Sequence, residues 1–290
     1  MLDPEPICAA VVKVGSVSVG RGHPLAIIAG PCVIEDPAET LETAYALAEV
    51  TRRLRVPLIF KSSYDKANRT SLHSYRGPGL IRGLETLARI RQEVGLPVTS
   101  DVHSVEQVAP AAEVLDLLQI PAFLCRQTDL VKAAAGSQRP INIKKGQFVN
   151  PADMRFTLEK AAAAGKGGVM LTERGTFFGY GNLVVDMRSL VIMRSLGCPV
   201  VFDASHSVQL PGLLSGVSGG ERHFIPILAR AAVSVGVDAV FMEVHRAPEK
   251  ALCDAANSLA LAQFESLINH LISLDRMVKA WQEREESTSV

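Results

Sequence analysis

Eight short apolar segments, each followed by a stretch with helical spacing, recur along this chain and restrict its fold more tightly than any other feature. Strands are predicted at 25–29, 57–61, 97–101, 115–120, 140–144, 168–172, 199–203 and 238–243. Helices are predicted at 38–54, 80–94, 105–112, 129–135, 152–164, 185–196, 222–235 and 258–284, with fraying from Glu283 to Val290. Apolar strands joined by crossover helices form a parallel sheet covered by helices, and eight such units predict a closed (β/α)8 TIM barrel of the α/β class. The stretch 11–19 alternates apolar and polar residues around Gly15 and predicts a β-hairpin, so that 1–24 extend a single barrel domain spanning 1–290. A doubly wound open sheet is the competing arrangement. The glycines at 165–168 and 179–181 do not support it, because neither group completes a dinucleotide fingerprint after the first strand; both are read as turns.

The length of 290 residues suits one α/β barrel. Lys+Arg and Asp+Glu each total 30, so no overall field draws nucleic acid or an anionic membrane, and any anion site must be local. The first residues lack the basic and apolar regions of a signal peptide, and no run is long enough to span a membrane. A soluble, cytoplasmic protein is expected. Five cysteines without paired spacing suit reduced thiols.

The C-terminal ends of barrel strands share one mouth, where active sites are built. The predicted strands deliver Cys32, Lys61, Asp101 with His103, Gln119, Lys144, Glu173-Arg174, Asp203 with His206, and Glu243 with His245 to that end. Pro57, Pro97, Pro140 and Pro199 begin strands at the other. Lys61, Lys66, Arg69, Lys144 and Arg174 are enough cations for two anions. Each alone would be an ordinary surface charge; the set at one rim favours function. Cys32, His206, Glu243 and Asp254 form a second set, whose thiolate, imidazole and carboxylates suit Zn²⁺, Fe²⁺, Mn²⁺ or Co²⁺ better than Ca²⁺ or Mg²⁺. Residues 207–223, rich in Gly and Ser, are read as a mobile lid.

Eight motifs then carry a resemblance. They are Ile28-Ala-Gly-Pro-Cys32, Phe60-Lys-Ser-Ser-Tyr-Asp-Lys-Ala-Asn-Arg69, Thr99-Ser-Asp-Val-His103, Gln119-Ile-Pro-Ala-Phe123, Asn142-Ile-Lys-Lys-Gly-Gln-Phe148, Leu171-Thr-Glu-Arg-Gly175, Phe202-Asp-Ala-Ser-His206 and Glu243-Val-His245. In this order, from about Ala26 to Leu259, the chain resembles the 3-deoxy-D-manno-octulosonate 8-phosphate synthases.

The resemblance implies condensation of phosphoenolpyruvate with D-arabinose 5-phosphate on a (β/α)8 barrel that is usually a tetramer, with a product destined for the Kdo sugar of lipopolysaccharide. It implies that Lys61, Ser63, Lys144, Gln147 and Arg174 surround phosphoenolpyruvate and that Lys66 lies near the reacting centres. Asn68, Arg69 and Thr70 fall on the arabinose 5-phosphate side, with Arg69 reaching the sugar phosphate from a neighbouring subunit, and Asp101 and Gln119 complete the substrate set. Lys66, His206 and Asp254 are the expected catalytic groups. Cys32, where metal-free relatives carry Asn, implies the metal-dependent class with ligands Cys32, His206, Glu243 and Asp254. Cys253 before Asp254 is more typical of the metal-free class, and Arg246-Ala247 replaces the usual Pro-acidic pair.

Two rival readings stand beside this one. The related 3-deoxy-D-arabino-heptulosonate 7-phosphate synthases use erythrose 4-phosphate and typically carry Lys-Pro-Arg-Thr where this chain has Lys66-Ala-Asn-Arg69. A non-catalytic sugar-phosphate-binding barrel is the other.

Overall fold

The computed structural model describes residues 7–69, 71–214 and 217–288. Strands β1 (Val11–Val14) and β2 (Val17–Gly20) form the expected antiparallel hairpin, turning at Gly15 with φ +54°. Then follow β3 (Ala26–Gly30), α1 (Pro37–Leu54), β4 (Leu58–Lys61), α2 (Leu80–Val94), β5 (Val98–Asp101), α3 (Val105–Val114), β6 (Leu117–Ile120), α4 (Thr128–Gly136), β7 (Ile141–Lys144), α5 (Met154–Ala162) and β8 (Val169–Glu173). A small hairpin of β9 (Thr176–Phe177) and β10 (Leu183–Val184) precedes α6 (Arg188–Arg194) and β11 (Val200–Asp203). A second hairpin, β12 (Gln209–Leu214) and β13 (Val217–Gly220), leads to α7 (Ile225–Val235), β14 (Ala239–His245), β15 (Leu259–Ala260) and α8 (Leu261–Thr288).

The strand order β11-β8-β7-β6-β5-β4-β3-β14 is parallel throughout, and pairing of β11 with β14 closes the barrel. The open-sheet alternative is thereby excluded. Four strands start after proline, and the carbonyls of Pro57, Pro97, Pro140 and Pro199 still accept ladder bonds from Ile27, Phe60, Leu118 and Leu171 at 2.8–3.0 Å. A proline that lacks only the donor is tolerated at a strand's first position.

Strand alternation separates two cores. Ile27, Phe60, Leu118, Ile143, Leu171, Phe202 and Met242 pack against the helices. Their neighbours Ile28, Ile59, Leu117, Met170, Val201 and Phe241 form a second cluster with Val12, Val14, Val17 and Val19 of the hairpin. The hairpin therefore plugs the end of the barrel where the strands begin, and the other end is left for chemistry.

The segment 207–223, read as a lid, contains the β12–β13 hairpin, paired through Gln209↔Gly220. Two expectations are corrected. Helix α8 continues to Thr288, so the chain does not fray at Glu283. Helix α6 begins at Arg188 rather than at 185, with three residues between it and the end of the β9–β10 hairpin at Val184, and the Arg188 N–H donates to Asp186 Oδ1 at 3.0 Å. Gly179 turns that hairpin at φ +76°, in keeping with its reading as a turn. Among the described residues no helix is long and apolar enough to cross a membrane.

Candidate active site

The alternation that fills the lower barrel with hydrocarbon carries polar groups into its upper layer. Asp101, Gln119 and Asn142 lie in register on neighbouring strands, and Thr172 stands on the next strand, two residues beyond the partner of Asn142. Gln119 Nε2 donates to Asp101 Oδ1 (2.8 Å), Asn142 Nδ2 to Gln119 Oε1 (3.0 Å), and Thr172 Oγ1 to Asn142 Oδ1 (2.7 Å). A buried polar chain satisfied at every link fixes the rotamers of what stands on it. Ser63 Oγ donates to Asp101 Oδ2 and accepts from Lys61 Nζ, both at 2.8 Å. Burial opposes charge on Asp101, but Lys61, Lys66 and Lys144 hold its carboxyl well below the usual carboxylate range.

Above this layer opens a cavity of about 370 Å³. Lys61, Lys66, Asn68, Arg69, Asp101, Lys144, Gln147, Arg174, His206 and Asp254 all line it, so the five predicted cations converge. Ser63 and Gln119 are fully buried beneath it and orient the groups that line it. Thr70 lies outside the described residues. Arg69 is folded onto its own chain, with Nη1 2.9 Å from Cys253 Sγ and 3.8 Å from Asp254 Oδ1. Arg174 Nη2 donates to Gln209 Oε1 (2.6 Å), tying the β12–β13 hairpin to the rim. Arg174 Nη1, Arg69 Nε and Gln147 Oε1 are buried without a partner, groups that a bound ligand would satisfy.

At one side of the cavity five donors gather. Cys32 follows β3, and its loop is bridged to the next through Val33↔Ser63. His206 Nε2 stands 3.4 Å from Glu243 Oε1 and 3.8 Å from Asp254 Oδ2, and Cys32 Sγ is 3.5 Å from that same Oδ2. Asp254 adopts left-handed backbone, φ +49°, a conformation Asp tolerates and one that recurs at functional sites. Glu243 is fully buried, yet neither carboxylate oxygen accepts a hydrogen bond. A buried, unbonded carboxylate beside an imidazole, a thiol and a second carboxylate fits a divalent cation. His206, Glu243 and Asp254 offer ligand atoms within 4.8 Å of one another, as do Cys32, Cys253 and Asp254. The four predicted ligands thus fall in two groups joined at Asp254, with Cys253 as a fifth donor that the motif reading did not select.

Electrostatics follow from this crowding. Burial opposes the charge on Lys66, but Cys32, Glu243, Cys253 and Asp254 hold its ammonium well above the ordinary lysine range; its Nζ lies 3.5 Å from Glu243 Oε1. Burial pulls Lys144 down against the pull of Asp203, whose Oδ2 is 2.6 Å from its Nζ, and Lys144 also sits 3.8 Å over the Phe241 ring. Burial, then the adjacent Cys253, pushes the Cys32 thiol well up.

Two expected mouth residues lie elsewhere. Glu173 accepts from the backbone N–H of Arg174 and Gly175 and from Ser189 Oγ, and its Oε2 is 3.5 Å from the fully buried Lys145 Nζ. It positions Arg174 from behind. His245 Nδ1 accepts from Ala247 N–H and does not reach the cavity. Lys145 was missed because its neighbour Lys144 already fitted the pattern; strand alternation sends adjacent residues to opposite faces.

A profile of the DAHP synthetase I family matches residues 8–280. The chain is 58% identical over 268 residues, 92% of its length and 97% of the relative's, to a protein of Syntrophotalea carbinolica named 2-dehydro-3-deoxyphosphooctonate aldolase. Proteins of the same name from Geotalea daltonii (58% identical, covering 92% of this chain and 98% of the relative) and Desulfatibacillum aliphaticivorans (57%, 89% and 95%) are similarly close.

Proposed function

The chain belongs to the DAHP synthetase I family and stands within it beside the 2-dehydro-3-deoxyphosphooctonate aldolases, and from that premise we propose the reaction it performs. It is an enzyme that condenses phosphoenolpyruvate with D-arabinose 5-phosphate and water to give 3-deoxy-D-manno-octulosonate 8-phosphate and phosphate. The observation that carries this reading is a cavity lined by five cations, room for two anionic substrates, in a chain 58% identical to relatives of that name. The relatives' name speaks against the erythrose 4-phosphate acceptor, as does Ala67-Asn68 in place of Pro-Arg. Close likeness to named aldolases also speaks against a barrel that only binds.

In this reading Lys61, Lys144, Gln147 and Arg174 hold phosphoenolpyruvate, with Arg174 Nη1 and Gln147 free to meet its phosphate and carboxylate. Ser63, Asp101 and Gln119 keep Lys61 and its neighbours in place. Asn68, Arg69 and Thr70 take the sugar phosphate, Arg69 from its own chain or across a subunit contact. C3 of phosphoenolpyruvate attacks the open-chain aldehyde while water adds at C2, and the tetrahedral species expels phosphate by C–O cleavage. Holding both reactants in one cavity supplies orientation, and the rim cations stabilise charge as it develops.

Lys66, kept as an ammonium, holds its proton toward the alkoxide formed from the aldehyde. Asp203 Oδ2 accepts from His206 Nδ1 at 2.7 Å, which leaves Nε2 facing Glu243 and Asp254. His206 and Asp254 are the groups placed to move the proton of the attacking water. Cys32, His206, Glu243 and Asp254 would hold a divalent ion, and such an ion would supply Lewis acidity at the aldehyde or the water. A homotetramer, the state the resemblance implies, placed in the cytoplasm, completes the proposal.

The test is phosphate release from phosphoenolpyruvate with arabinose 5-phosphate or erythrose 4-phosphate, before and after chelator treatment. Turnover with the pentose phosphate that falls with chelator and returns with a divalent ion is expected. Turnover with erythrose 4-phosphate alone would overturn the acceptor; indifference to chelator would overturn the metal.

A further inference from the structure

Cys253 stands where a core thiol has no reason to be. It is buried, but its sulfur meets polar groups: Cys32 Sγ at 2.9 Å and Arg69 Nη1 at 2.9 Å, next in sequence to the Asp254 carboxylate. Its apolar surroundings amount to Cys32 and Val33, with Tyr75 packed against them. Both Cys32 and Arg69 reach the Cys253 sulfur as an acceptor, the role a sulfur also plays toward a metal. Cys32, Cys253 and Asp254 form one triad of donor atoms, His206, Glu243 and Asp254 the other, and Asp254 is common to both.

We propose that Cys253 is a metal donor alongside Cys32, so that the centre presents two sulfurs instead of one. This rests on the metal-centre reading above and deepens it. Two sulfurs with an imidazole and carboxylates make a softer set than one, and soft thiolates favour Zn²⁺ over Mn²⁺, which suits oxygen ligands. The left-handed backbone of Asp254 lets consecutive side chains, Cys253 and Asp254, serve one centre.

Two measurements on reduced, metal-stripped protein kept under inert gas test this. Cobalt titration reads the near-ultraviolet sulfur-to-metal absorption per bound ion, which scales with the number of coordinating thiolates. Cys253→Ser and Cys32→Ser are each expected to keep about half of the wild-type band, and the double variant none. Zinc-edge X-ray absorption of the wild-type protein reloaded with one equivalent of zinc, which depends on no variant folding, is expected to count two sulfurs near 2.3 Å, the usual Zn–S length. One sulfur at the edge, or a full band in Cys253→Ser with its loss in Cys32→Ser, would overturn the second donor and leave the metal centre standing. Absence of bound cobalt or zinc in the wild-type protein would overturn the metal centre and this inference together.

Discussion

Asp203 Oδ2 lies 2.7 Å from His206 Nδ1, and the same oxygen is 2.6 Å from Lys144 Nζ. One buried carboxylate thus orients the imidazole of the metal-like cluster and the ammonium of the anion cavity. Burial opposes its charge, but His206 and Lys144 hold its carboxyl well below the usual range. Partners of this kind fix a ligating histidine's tautomer, and their loss typically costs 10- to 100-fold in metal affinity. Asp203→Asn is expected to weaken metal binding by roughly that factor and to raise the KM for phosphoenolpyruvate, through His206 and Lys144 respectively. Competition with a chromophoric chelator and steady-state kinetics read the two effects separately; an unchanged affinity would dissociate Asp203 from the centre.

Cys32→Asn is expected to hold much less metal per chain while keeping part of its turnover, since the resemblance describes Asn at this position in relatives that work without metal. In the unsubstituted chain burial and Cys253 keep the Cys32 thiol protonated at neutral pH. Metal must displace that proton, so apparent affinity is expected to rise roughly tenfold per pH unit for each proton released. Metal content that does not change in Cys32→Asn would remove Cys32 from the ligand set.

Gly30 closes β3 against β4, and a Cβ built there would lie 2.1 Å from the Lys61 carbonyl oxygen. Gly30→Ala must push the two strands apart at the point where Lys61 enters the cavity. A loss of about 1–3 kcal/mol is expected from overpacking alone, with a fall in affinity for phosphoenolpyruvate as Lys61 shifts. Urea unfolding indistinguishable from the parent would contradict the close approach.

Asp101 gives a pH signature. Its carboxyl is depressed in the folded chain, so the stability it contributes is complete above the unfolded value of about 3.9 and is lost as pH falls through the lower folded value. Asp101→Asn removes that contribution, and the variant's stability is expected to fall less steeply than the parent's as pH drops below about 4. Chemical denaturation across the acid limb measures this, and parallel curves would mean that the Asp101 carboxyl is not depressed in the folded chain.

The sequence by itself determined the architecture. Eight apolar runs and their helical spacers leave few packings other than a closed parallel barrel, because period-2 strands with two apolar faces must be covered outside and filled inside. Strand ends also told which residues could meet, and Lys61, Lys144, Arg174 and His206 do line one cavity.

Tertiary structure decided the rest. Which of two adjacent residues enters the mouth depends on the phase of the strand, so Lys144 faces the cavity while Lys145 and Glu173 pair behind it. That 207–223 forms a hairpin depends on pairing across a Gly-rich stretch, whose sequence carries little strand signal of its own. Cys253 next to Asp254 resembles an ordinary buried thiol until residues more than 200 positions apart are brought together. Contacts at that separation follow from how the barrel closes, and closure is a property of the whole sheet that no local run of residues contains.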